Sequence, residues 1–299
     1  MRTILKKINL IELNQINSLI FVPAIKKSFY DKILTFKKAD KPDGIIFDLE
    51  DSINIKYKAK AREVLLNSLS TTNYRNILFD NYLIVIRVNP INSEWFNDDI
   101  KLINKIKPDI LMTSKVETGN EVREYKKIAK HLIIVVETLN GINNLEKIIK
   151  EMGSGDLFVI GYEDLSSELM IERPKNLNSF NPLFHILMRS LIIARQNNIQ
   201  MIDAPARFFK TKQDIAKFKN ECRYTAGLGM IGKMAIHPNQ ICVINSIFKN
   251  KKNEMLKKAQ KILNKFARLK DGSSAIVNEH NEMMDTPSYK MANKIIKYK

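Results

Sequence analysis

Leu132 to Thr138 reads LIIVVET: five apolar residues in a row, closed by an acid. A strand with one wet face alternates apolar and polar residues. A run that is apolar at every position reads as a strand buried on both faces of a parallel sheet. Working upstream, the same signature recurs at Asp109–Lys115 (DILMTSK), Leu83–Asn89 (LIVIRVN), Gly44–Asp48 (GIIFD) and Leu19–Pro23 (LIFVP). Downstream it recurs at Leu157–Asp164 (LFVIGYED), Ile199–Pro205 (IQMIDAP) and Gly232–Pro238 (GKMAIHP). Between the runs lie segments with helical periodicity, such as KAKAREVLLNSL from Lys58, NEVREYKKIA from Asn120 and LFHILMRSLIIAR from Leu183. Eight strands alternating with helices predict an α/β fold, a (β/α)8 TIM barrel, with an open doubly wound sheet as the structural alternative.

The polar residues favour the barrel. The runs end in Asp48-Leu49-Glu50-Asp51, in Arg87 and Asn89, in Lys115 and Glu117, in Glu137, in Glu163 and Asp164, in Asp203 and in His237. A barrel gathers the C-terminal ends of its strands at one mouth, where active sites sit. The barrel is complete by Pro238, so residues 1–248 are expected to form it. Residues 249–299 are expected to form a C-terminal helical arm: a Lys-rich amphipathic helix over Asn253–Leu269, a turn at Asp271–Ser274, and a tail with a final helix. The arm is expected to pack on a neighbouring subunit.

Composition excludes several classes. No apolar run approaches the ~18 residues of a membrane-spanning helix. Met1–Leu10 is basic but lacks the apolar core of a signal peptide, so a cytoplasmic protein is expected. Cys222 and Cys242 form no CxxC pair and have no His at metal-ligand spacing, which predicts reduced thiols. The net charge is +17. Its lysines are scattered and accompany abundant Ile and Asn, the composition of an AT-rich genome. No nucleic-acid partner is therefore expected, although clustered Lys could steer an anionic substrate.

Glu137 and Asp164 close consecutive runs. Two mouth carboxylates suit a hard cation such as Mg²⁺, which takes one or two carboxylates plus water and substrate oxygens. The competing reading is two strand-end acids that cap helices or form surface ion pairs. Arg87 lies inside an apolar strand, where it is costly unless paired. It could grip a carboxylate or form a structural ion pair with Glu50 or Asp51. Glu50 and Asp51 are adjacent, so one is expected to face the mouth. Lys115 ends the fourth run and is expected to bind substrate. His237 stands alone, more in keeping with a structural role than a catalytic one.

The ordered set IIFDLEDSI, KAKAR, IRVNP, SKVET, VVETLNGI, IGYEDL, GKMAIHPNQ and MMDTP resembles the citrate lyase beta-subunit family and the malyl-CoA and citramalyl-CoA lyases, within the HpcH/HpaI aldolase/citrate lyase superfamily. The resemblance runs from about Ser18 to about Lys294. It implies a Mg²⁺-dependent carbon–carbon lyase that cleaves, or forms, a 3-hydroxy-acyl thioester of the citryl, malyl or citramalyl type. It implies Glu137 and Asp164 as metal ligands and Arg87 as the contact to the oxo acid. It also implies Glu50 and Asp51 as the acidic pair near the metal's waters, and Asp285 as an acid/base supplied by the arm. The implied partners are an oxo acid, an acyl thioester on coenzyme A or an acyl carrier protein, further copies in a homo-oligomer, often a trimer, and possible citrate lyase subunits.

The chain departs from that pattern at Asn17, Ala24, Phe96 and Met170. Family glycines stand at the last two, and Phe96 is expected to fill part of the substrate site. Two other readings remain open: an aldolase acting on free oxo acids, and an inactive scaffold on the same barrel.

Overall fold

The computed structural model describes residues 15–36, 41–174, 181–267, 276–277 and 283–297. The basic N-terminal stretch and the turn at 271–274 lie outside them. Every expected run contains a strand: β1 (Ser18–Pro23), β2 (Gly44–Asp48), β3 (Leu83–Arg87), β4 (Ile110–Met112), β5 (Leu132–Val136), β6 (Leu157–Ile160), β7 (Gln200–Met201) and β8 (Lys233–Ala235). All pair in parallel, in the order β7-β6-β5-β4-β3-β2-β1-β8. β2 and β5 are buried at every position, as continuous apolar runs require.

The sheet curls until its edge strands meet. Their seam is a single parallel bridge between Asp203 and Lys233. Three backbone bonds serve it: Ile231 N to Met201 O (3.0 Å), Asp203 N to Gly232 O (2.9 Å) and Met234 N to Asp203 O (2.8 Å). A full ladder, as in the expected regular barrel, is not formed there. β7 is only two residues long, and Pro205, just beyond it, has no N–H to donate.

The helices are α1 (Lys27–Leu34), α2 (Lys58–Ser70), α3 (Thr72–Asn81), α4 (Phe96–Ile106), α5 (Gly119–Ile128), α6 (Leu139–Asn143), α7 (Leu145–Lys150), α8 (Tyr162–Glu168), α9 (Pro182–Gln196), α10 (Lys212–Gly227), α11 (Pro238–Phe266) and α12 (Thr286–Lys297). Capping boxes start α5 (Thr118 with Glu121) and α10 (Thr211 with Asp214), fixing where the chain leaves the mouth. The run LFVIGYED is shorter as a strand than expected. It turns into α8 after Gly161, so Glu163 and Asp164 lie on a helix's first turn.

α11 spans 29 residues, about 43 Å at 1.5 Å per residue, and passes unbroken through the expected boundary at 248. Phe248 is buried in the main core. Ala259 and Ile262, further along, join Met284 and Ala292 in a separate small cluster. A short antiparallel pair, β9 (Ile276–Val277) and β10 (Met283–Met284), precedes α12. Among the described residues, no helix is long and apolar enough to cross a membrane. Cys222 and Cys242 are free thiols.

Candidate active site

The C-terminal ends of the strands enclose a cleft of about 480 Å³, lined by Asp48, Arg87, Glu137, Asp164, Phe21 and Tyr162 among others. Arg87 ends β3, beside Asp48 at the end of β2. Its Nε and Nη2 donate to the two Asp48 oxygens at 2.7 Å each, and Nη1 lies 3.0 Å from Glu50 and 3.7 Å from Asp51. A guanidinium has five N–H groups, so one on each terminal nitrogen remains for a ligand oxygen. Burial opposes the charge on Arg87, but Asp48 and Glu50 more than reverse this and raise its pKa.

Asp48 also accepts from the backbone N–H of Glu50 (2.9 Å) and of Ser52 (3.1 Å). With Arg87 this uses all of its roughly four acceptor sites. Burial pushes the Asp48 carboxyl up, yet the Arg87 pair prevails and holds it at about 2. It anchors Arg87 and has no lone pair left for a cation.

The following loop is held from below. Lys58, the first residue of KAKAR, donates to Leu49 O (2.8 Å), Glu50 O (2.7 Å) and Asn89 Oδ1 (2.7 Å). Asn89 in turn donates to Asp99 (2.7 Å), which Arg62 also holds (3.0 Å). Glu50 is thereby fixed inward and buried, while Asp51 is half exposed. Burial raises the Glu50 pKa against the pull of Arg87. At Asp51 burial also pushes upward, but the bond to Glu50 and the nearby cations prevail and lower it.

Lys115 has φ +49, a left-handed geometry that is costly for a side chain with a Cβ and characteristic of functional turns. The turn aims its amide at Glu137 Oε1 (3.1 Å). Its ammonium reaches Glu50 (2.7 Å), Asp51 (3.3 Å) and Asp164 (3.9 Å). Burial opposes its charge, but Glu50 and Asp51 raise its pKa.

Glu137 is buried just beyond β5. A Cβ on Gly161 would lie 2.4 Å from its Oε2, so only glycine admits this carboxylate. Burial lifts Glu137 to about 8; Arg87 opposes the rise, while Asp164 and Glu50 add to it. A divalent cation would relieve that mutual repulsion between Glu137 and Asp164. Both supply hard oxygen donors, which fit Mg²⁺ with water and substrate completing its shell. Among the described residues no group of three or more His, Cys, Asp or Glu is arranged to hold a metal ion by itself.

Asp285 does not join these residues within one chain. It accepts from the amide and hydroxyl of Ser288 at 3.3 Å each, at the start of α12. Its neighbour Met284 packs on Ala259 and Ile262, towards the far end of α11, whereas α11 begins at the mouth. Further along α12, Met291 and Ile295 share a cleft with Gln200 and Met230, at the sheet end opposite the mouth.

Phe96 does not fill the cleft, contrary to expectation. It is buried on α4 with its ring edge-on to Tyr125 at 5.6 Å. Ala24 is buried with its N–H on Asp48 O, and Asn17 binds Asp43 at the start of β1. Met170 has φ +54 and is 92% exposed. His237 caps α11 through Asn239 N (3.2 Å) and stacks on Phe209. Lys58, Gly161 and the pairing of Asp48 were not singled out from the sequence, and Asn89 stood there only as a polar run end. The placement of Lys58 and Asn89 inside quoted motifs was the available signal.

A (3S)-malyl-CoA thioesterase of Cereibacter sphaeroides is 27% identical over 234 residues, covering 77% of this chain and 76% of that protein. Citrate lyase subunit beta of Leuconostoc mesenteroides subsp. cremoris is 23% identical over 268 residues, covering 85% of each. The fold matches that of the protein CitE from Mycobacterium tuberculosis, whose crystal structure holds magnesium, acetoacetate and coenzyme A. The TM-score is 0.73 at 21% identity, over 95% of this chain and 98% of that one. The family model for HpcH/HpaI aldolase/citrate lyase matches residues 17–238, which span every strand of the sheet and all the mouth residues described above, and the chain belongs to that family.

Proposed function

We propose that the protein is a Mg²⁺-dependent carbon–carbon lyase on a (β/α)8 barrel. It cleaves, or forms, a 3-hydroxy-acyl thioester of the citryl, malyl or citramalyl type, giving an oxo acid and an acetyl-type thioester. One observation carries this reading: the repelling carboxylates Glu137 and Asp164 share a mouth with Arg87, which is anchored by Asp48 yet keeps two N–H groups for a ligand. When bound, Mg²⁺ would be held by Glu137 and Asp164 and would act as a Lewis acid on the substrate's oxygens.

The chain's own residues would do the rest. Arg87 would orient the oxo-acid half and offset charge on its carbonyl oxygen, and Lys115 would bind substrate beside it. Glu50 and Asp51 would hold Lys115 and order water at the rim. As the C–C bond breaks, its electron pair passes to the thioester's α-carbon and the hydroxyl becomes a carbonyl. In net terms the hydroxyl's proton ends on that carbon, and Asp285 would deliver it. Since Asp285 lies at the far end of α11, the arm of residues 249–299 would serve a neighbour's mouth in a homo-oligomer, a trimer on the family pattern. A Phe96 filling the cleft would have favoured an inactive scaffold, and that side chain packs on Tyr125 instead. The acyl carrier would be coenzyme A or a carrier protein.

Thermal denaturation with oxaloacetate, pyruvate and glyoxylate tests the site. A ligand of the folded state raises Tm. A rise that needs both Mg²⁺ and one acid, and that vanishes in Glu137→Ala, is the expected result; no rise with any acid counts against the reading. Mixing Arg87→Ala with Asp285→Ala after confirmed subunit exchange should restore part of the activity. No recovery would exclude an arm acting between copies.

A further inference from the structure

Asp164 is a poorly tethered ligand. It is 37% exposed, and among the described residues the cation paired with it is Lys115, at 3.9 Å. It rides on α8, which has seven residues and no side-chain cap at Gly161. A helix this short has little stability of its own, so its neighbours decide where Asp164 sits.

Those neighbours form a buried ionic network that the mouth chemistry does not use. Arg173 donates to Glu163 (2.7 Å) and to Pro205 O (3.0 Å). Its guanidinium lies 5.2 Å over the Tyr162 ring. It thus grips both residues that immediately precede Asp164, and ties them to the loop after β7. Arg173 is itself braced by Glu221 of α10 (3.2 Å). Glu221 is held by Lys233 of β8 (2.8 Å), which is fully buried and also donates to Ala204 O (2.7 Å). The Tyr162 hydroxyl donates to Asp203 (3.0 Å), the other carboxylate on Lys233. Without Arg173, the ion-pair partner left to Glu163 among the described residues would be Arg207, whose side chain is 72% exposed. The network crosses the β7–β8 seam, where the backbone supplies only one bridge.

We propose that Arg173 is a positioning residue. Through Glu163 and Tyr162 it holds the first turn of α8, and so Asp164, where a divalent cation shared with Glu137 can be bound. Arg173 never touches the cation, and the proposal rests on the metal reading above. Its fork suits the task because it spans a carboxylate, a carbonyl and a ring at once, which a lysine cannot.

The test is direct binding of Mn²⁺, standing in for Mg²⁺, followed by electron paramagnetic resonance on the full-length protein. Wild type should bind, and Glu137→Ala should not. Arg173→Met should weaken binding roughly 10- to 100-fold, the usual effect of losing an outer-shell partner, and Arg173→Lys should recover part of it. Lys126→Met breaks an ion pair with Asp156 at the other end of β6 and should bind as wild type does. That control separates positioning from general destabilisation. Should Arg173→Met fail to fold, Glu163→Gln breaks the same pair from its exposed side and should weaken binding in the same direction. Wild-type affinity in a folded Arg173→Met, or in Glu163→Gln when that variant stands in for it, overturns the proposal while leaving the metal reading intact. No Mn²⁺ binding by wild type overturns both.

Discussion

Asp48 and Glu137 are both buried acids at strand ends, yet their surroundings push them opposite ways. Asp48 accepts two bonds from Arg87 and two from the backbone, and its carboxyl is held at about 2. It contributes stability that is present above the ordinary carboxylate range and lost as pH falls towards 2. Asp48→Ala leaves Arg87 buried without its bidentate partner and should cost about 3–5 kcal/mol in denaturant unfolding. Glu137 is lifted to about 8. Between the ordinary value and 8, the folded metal-free protein keeps a proton that the unfolded chain has released. Its stability should therefore fall as pH rises from about 5 to 8 in the presence of EDTA. Saturating Mg²⁺ or Glu137→Gln should flatten that slope; an unchanged slope in Glu137→Gln would place its origin elsewhere. The sequence marked both acids as strand-end groups. It could not separate them, because what differs is which donors the fold brings from β3 and the loops, and which charge it brings from α8.

At the scale of elements, the strands were the most legible feature. A strand apolar on both faces leaves a continuous run, and each of the eight runs contains one. Their ends were less legible. LFVIGYED reads as one strand, but Gly161 makes room for Glu137 and the chain turns into α8 there. Phe96 shows the limit of reading a departure by analogy. A bulky residue at a position where glycine is usual suggested an obstructed site, but α4 turns that side chain onto Tyr125 of α5. Phe96→Ala should therefore cost about 3–5 kcal/mol of stability. It should leave the oxo-acid requirement of the Mg²⁺-dependent Tm shift as in wild type. A new acid preference in Phe96→Ala would restore Phe96 to the substrate site.

For the whole molecule, the expected division into barrel and arm becomes one continuous helix with a small second cluster at its far end. That cluster (Ala259, Ile262, Met284 and Ala292) is separate from the main core. Ending the chain after Ala267 should therefore leave a folded protein that still binds Mn²⁺ but has lost its carbon–carbon lyase activity. Loss of Mn²⁺ binding in that truncation would show that the arm shapes its own mouth. The helical periodicity after Asn253 was readable in the sequence. Its fusion with the last barrel helix was not, because Phe248 looked like the end of one pattern and α11 carries two faces in succession.

α11 starts at a mouth, capped by His237, and ends beside Asp285, so it works as a ruler. If the arm serves a neighbour, the spacing between active sites in the assembly is written in the length of one helix and not only in the surfaces that touch. Copies could close a ring only where the next mouth lies one α11 away. A chain shortened by a single helical turn would bring its acid about 5.4 Å short. The catalytic geometry and the subunit arrangement would then have to change together.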